Sequence, residues 1–140
     1  MFNPIKLKFK KEHKGTFKNK EYSISKSSLL FGNFGIIATS KGVLVAREIE
    51  AARKSIAKEI KGVGQVCARV RPNYPKTEKK KGMRMGKGKG PVANWVARVS
   101  AGMVLFEVFG LLEEKKIKQV FKNSATRVSL STKTVFFNSG

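Results

Sequence analysis

The chain has 140 residues, of which 30 are Lys or Arg and only 9 are acidic, giving a formal charge of +21. A compact body so unbalanced repels itself, so a polyanion is its natural counterpart, with nucleic acid ahead of an anionic membrane surface. The single cysteine, Cys67, and single histidine, His13, exclude an internal disulfide, a Cys/His metal cluster and Ser-His-Asp chemistry.

Every acid is Glu, and no apolar run approaches the ~18 residues of a membrane span. The 41% hydrophobic content suits one domain with one modest core. The opening MFNPIKLKFKK lacks a secretory apolar stretch. The protein is therefore expected to act where it is made, or to have lost a targeting segment.

Residues 1–27 hold eight lysines against Glu12 and Glu21 and read as a basic arm. Within it, KFKKEHKG at 8–15 interleaves Phe9 and His13 with four lysines, a pattern that can stack on bases while tracking phosphates. Residues 28–140 then form a single α+β domain. Residues 27–46 are β-branched and aromatic, predicting short strands around a turn at Ser40, Lys41 and Gly42. FGNFG at 31–35 predicts a bulge or tight bend where something approaches the backbone, or two core phenylalanines flanking a turn.

The clearest helix spans 47–61, where Ile49, Ala52, Ile56 and Ile60 make one apolar stripe ended by Gly62. Arg47, Arg53, Lys54, Lys58 and Lys61 decorate its other faces. QVCARVR at 65–71 alternates as a strand, with Val66, Ala68 and Val70 inward and Cys67, Arg69 and Arg71 opposite. Pro72 and Pro75 open a loop that runs to Pro91, inserted between strands.

After the loop, residues 92–99 and 103–109 predict a hairpin around Ser100, Ala101 and Gly102, with Trp95 packed into the core. A second helix is expected over 111–124, with Leu112, Ile117, Val120 and Phe121 on one side and Glu113 and Glu114 in its first turn. A final strand is expected over 127–137. The sum is two helices packed on a mixed or antiparallel sheet, with a basic N-terminal arm and a long Gly/Lys loop.

The most unusual stretch is KKKGMRMGKGKG at 79–90, with six cations, four glycines and no acid. Alternating glycines penalise helix and let backbone approach a phosphate where the intervening lysines supply charge. Neither GxxxxGK[ST] nor GxGxxG is present, so a mononucleotide site is disfavoured. No paired carboxylates or placed histidine support acid–base catalysis, and no Asp/Glu cluster supports a metal-dependent reaction, so neither a catalytic nor a metal site is expected. Basic residues from end to end fit a small protein embedded in a large folded RNA, with no cofactor.

KFKKEHKG, FGNFG, AREIEAARKSI, RMGKGKG and NWVARVSAGMVLFEV, in that order, resemble the large-ribosomal-subunit protein sixteen family of bacteria and organelles. The resemblance implies a non-enzymatic constituent of the large subunit. Its partners would be large-subunit rRNA, tRNA and neighbouring large-subunit proteins, with no membrane span and no homo-oligomer. It implies rRNA contacts at Lys8, Lys10, Lys11, His13 and Lys14 of the arm and at Arg47 and Arg53, with Arg69 and Arg71 as further candidates. Arg84, Met85, Gly86, Lys87, Gly88, Lys89 and Gly90 would form the loop facing tRNA and the peptidyl-transferase centre. Family members join late in subunit assembly.

Phe109 stands where the family usually has Asp, and the loop lacks the proline usual before RMG. The Asp-free, Lys- and Phe-rich composition looks most like mitochondrially encoded members, ahead of bacterial or plastid ones. A free-standing RNA binder or chaperone is the rival reading.

Overall fold

The computed structural model describes residues 8–15 and 28–137. The rest of the expected arm, residues 1–7 and 16–27, lies outside them. The order of elements is β1 (Phe34–Ala38), β2 (Gly42–Val45), α1 (Ala46–Glu59), β3 (Gly64–Ala68), β4 (Tyr74–Thr77), β5 (Val92–Val99), β6 (Val104–Gly110), α2 (Glu114–Ala125) and β7 (Thr132–Phe136). The expected α+β arrangement holds, with the strands divided between two antiparallel sheets. One has the order β3-β6-β1-β7 and the other β2-β5-β4.

The amphipathic stripe of α1 does what its spacing predicts: Ile49, Ala52, Ile56 and the following Ile60 are all buried. The helix opens where Val45 N–H donates to Glu48 Oε2 at 3.0 Å, so an orphan donor is satisfied from within the first turn. α2 buries Ile117, Val120 and Phe121 and packs on α1 and β7. Together these side chains meet Leu44, Val99, Leu105, Phe106 and Val108 in one core. Phe34 meets Phe136 edge-on at 5.8 Å across the β1–β7 pair.

Several boundaries differ from the sequence expectation. The predicted hairpin is absent, because β5 and β6 belong to different sheets. The turn between them is bonded to the end of β1 instead: Gly102 N–H donates to Ala38 O at 2.5 Å and Ala38 N–H to Met103 O at 3.0 Å. This carries the chain across the core to pair with β1.

The predicted 72–91 loop contains a strand, β4, paired with β5. Pro75 fits there because β4 is an edge strand, where a missing N–H breaks no ladder. β1 shifts register against β6 between Ile36 and Ile37, just beyond the bend predicted at 31–35. Of the two phenylalanines there, Phe34 is buried and Phe31 exposed.

The second helix begins at Glu114 rather than 111, since β6 stays paired through Gly110 opposite Gly64. Leu111 is left 95% exposed. The last strand starts at Thr132 rather than 127, because Arg127 and Val128 N–H groups still bond back to Ser124 and Ala125 at the helix exit. Trp95 is only half-buried, opposite Pro75. No helix among the described residues is long and apolar enough to cross a membrane.

Candidate nucleic-acid interface

β4 and β5 form the base from which the Gly/Lys loop projects. Glu78 N–H donates to Pro91 O at 3.1 Å and closes the neck. Gly90 lies so close to it that a Cβ there would stand 2.6 Å from the Glu78 carbonyl oxygen. Beyond the neck, every residue from 79 to 89 is exposed. Lys79 Nζ donates to Gly86 O at 2.6 Å, and Met83 N–H to Lys80 O at 3.2 Å, which gives the loop internal ties.

Gly86, Lys87 and Gly88 are all left-handed, at φ 101°, 54° and 75°. Nothing lies within 4 Å of where a Cβ would sit on either glycine, so conformation and not crowding calls for glycine there. The same open space lets an outside group reach this backbone. Met85, at 98% exposed, presents an apolar side chain between the cations.

The described arm residues are bound to this platform. Tyr74 of β4 donates its hydroxyl to His13 O at 2.8 Å. Arg98 of β5 donates from Nη2 to Lys14 O at 2.6 Å and stacks 3.8 Å over the Tyr74 ring. Lys89 Nζ donates to Glu12 O, and Lys11 Nζ donates to Lys89 O at 2.8 Å. Three successive arm carbonyls are thus taken by side chains of the loop and its supporting strands. The arm is held by its backbone, and residues 8–15 are all exposed. Lys8 Nζ lies 5.5 Å from the centre of the Phe9 ring.

The structure thus ties Lys11 and Glu12 of the arm to Lys89 of the loop, and His13 and Lys14 to the strands beneath it; no bond from Lys8 or Lys10 to the loop is seen among the described residues. Among the described residues no ion pair forms in this unit; the pairs present are Arg53–Glu50, Lys54–Glu50, Arg69–Glu107 and Lys118–Glu114.

The other candidates stand apart from this unit. Arg47 is exposed on α1, whereas Arg53 is bound to Glu50 at 3.1 Å. That hydrogen bond holds the Glu50 carboxyl below the usual carboxylate range. Arg71 is exposed, but Arg69 is turned onto the fully buried Glu107 and is only 16% exposed.

Tyr74 and Arg98 were not evident as site residues in the sequence. Their only signal is their place on strands flanking the loop. Lys54 and Lys58 on α1, Lys61 just beyond its end, and Lys115, Lys116 and Lys122 on α2 are also exposed. Among the described residues no group of His, Cys, Asp and Glu could hold a metal ion.

Residues 4–135 match the family model described as Ribosomal protein L16p/L10e. The chain is similar to the large ribosomal subunit protein uL16 of Aeromonas hydrophila, 42% identical over 132 residues covering 94% of both chains. It is also similar to the proteins of that name from Dichelobacter nodosus, at 41%, and Stenotrophomonas maltophilia strain K279a, at 40%, with the same coverage.

Proposed function

The chain belongs to the ribosomal protein L16p/L10e family and is a structural constituent of the large ribosomal subunit, not an enzyme; from that premise we propose how it meets RNA. Its arm and loop bind large-subunit rRNA phosphates, and loop 78–91 reaches toward tRNA near the peptidyl-transferase centre. Lys8, Lys10, Lys11, His13 and Lys14 line the rRNA path, while Arg84, Lys87 and Lys89 supply the loop's charge. Arg47 and Arg71 make peripheral phosphate contacts, with smaller parts for Arg53 and Arg69, whose charges are already engaged.

The observation that carries this reading is a surface of exposed cations, tied together through backbone carbonyls, with no carboxylate paired to it among the described residues. Residues 1–27 act as the RNA-threading arm and 28–140 as the domain that aims the loop, and the protein acts as one copy per subunit. It enters late in assembly and helps tRNA settle. The composition, without Asp, favours a mitochondrial ribosome, although the relatives named above are bacterial.

Sedimentation after a high-salt wash tests the reading against a free-standing RNA chaperone. Co-migration with large subunits is expected, and release into the soluble pool would contradict it. Cross-links from Lys87 and Lys89 should fall on rRNA and tRNA.

A further inference from the structure

Lys11 of the arm and Lys89 of the loop donate across to each other's segments: Lys11 Nζ to Lys89 O, and Lys89 Nζ to Glu12 O. This reciprocal clasp sets both lysines at the junction of arm and loop, and among the described residues neither has a carboxylate partner. A carbonyl accepts a hydrogen bond but cancels no charge, so the clasp concentrates like charge at the junction of arm and loop. Each ammonium has three N–H donors, and the clasp uses one of them.

We propose that Lys11 and Lys89 together form one phosphodiester-binding site, so that arm and loop take hold of the same RNA phosphate and bind as a coupled unit. This rests on the reading that arm and loop contact RNA, and deepens it by naming the shared group. A single anion between the two ammonium groups replaces a repulsion with two charge-assisted hydrogen bonds. The carbonyl bonds from Tyr74 and Arg98 to His13 and Lys14 hold the arm in register for it. Occupancy of the site therefore tightens the hold of arm on loop, and loss of either lysine weakens the shared contact for both.

The test is a double-mutant cycle in the full chain, with binding measured separately to deproteinised large-subunit rRNA and to tRNA. Lys11→Ala and Lys89→Ala should each weaken binding to one of these RNAs about tenfold, the scale of a hydrogen bond to a charged group. Together they should weaken it little further, rather than about a hundredfold. The RNA that shows this non-additivity is the source of the phosphate. Lys89→Ala combined with Arg47→Ala is the independent pair, and its effects should multiply.

Lys11→Gln and Lys89→Gln keep a donor for the carbonyl without the charge. They should fail to restore binding, whereas full rescue would make the lysines mere struts and overturn the proposal. Multiplying effects of Lys11→Ala and Lys89→Ala on both RNAs would also overturn it, while leaving the RNA-binding reading intact. If neither single change weakened binding to either RNA, that reading would fail as well.

Discussion

Arg69 donates from Nη1 to Oε1 of Glu107, a side chain with no exposure to solvent in the middle of β6. The same carboxylate accepts from three successive backbone N–H groups: Leu30 at 3.2 Å, Phe31 at 2.7 Å and Gly32 at 3.0 Å. Phe31 then covers the guanidinium, 5.5 Å from its ring centre. Glu107 is thus the post to which the chain entering β1 is fastened. Removing one partner of such a pair strands a charge in a dry site. Glu107→Ala should therefore destabilise the fold by about 3–5 kcal/mol, seen as a lower urea midpoint. Arg69→Ala should act mainly on stability, with only a small loss of RNA affinity beyond what unfolding explains.

Gly32 makes that fastening possible. A Cβ there would stand 2.6 Å from the Val108 carbonyl oxygen, a backbone atom that cannot swing away. Gly32→Ala should force the segment off β6, stretch the bonds to Glu107 and cost about 1–3 kcal/mol, the scale of overpacking. A variant as stable as the parent in urea would show that the segment is not pinned.

These features divide what the sequence made legible from what it did not. The α1 stripe was legible because Ile49, Ala52, Ile56 and Ile60 repeat at the helical period regardless of what packs on them. The loop was legible from composition, since glycine and lysine in alternation exclude other elements. Pairing was not: adjacency of β5 and β6 suggests a hairpin, yet hydrogen bonds from the turn to Ala38 direct β6 to β1. Nor was Glu107, a lone acid in VLFEVFG whose meaning depends on Arg69, 38 residues earlier in the chain. The docking of the arm escaped for a related reason. Its acceptors are main-chain carbonyls, which every residue possesses and no side-chain pattern reports.

The stripe itself gives a direct test. Ile56 is fully buried between α1 and the sheets, so Ile56→Ala leaves a cavity and should cost about 2–5 kcal/mol in urea unfolding. Lys58, exposed two residues on, should change stability by less than about 0.5 kcal/mol when made Ala. Similar effects at the two sites would mean that α1 does not bury this face.

Arm docking can be separated from folding through Tyr74. Tyr74→Phe keeps the ring under Arg98 but deletes the hydroxyl that donates to His13 O. The lost bond is worth about 0.5–1.5 kcal/mol, which corresponds to about a 2- to 10-fold rise in the undocked arm. Limited trypsin cleavage among Lys8, Lys10, Lys11 and Lys14 should speed up by that factor, with the urea midpoint unchanged. Unaltered cleavage would show that the hydroxyl does not hold the arm.

Charge in the loop can be tested apart from its shape at Lys87, whose backbone is left-handed at φ 54°. Ala there would keep the conformational cost that any side chain meets in this region, whereas Gly relieves it. Lys87→Gly therefore removes the ammonium without adding strain, and a loss of RNA affinity that comes with a shallower salt dependence reports charge. Because the loop contributes nothing to the core cluster, the urea midpoint should hold. If ~6–10 phosphates are neutralised by the whole protein, affinity should fall about 10³- to 10⁵-fold between 50 and 200 mM salt. Lys87→Gly should make that dependence shallower by about 0.7–0.9 in the log–log slope, one phosphate's share. An unchanged slope with weakened binding would mean that Lys87 shapes the loop without meeting a phosphate, and the left-handed run at 86–88 would then matter for its path alone.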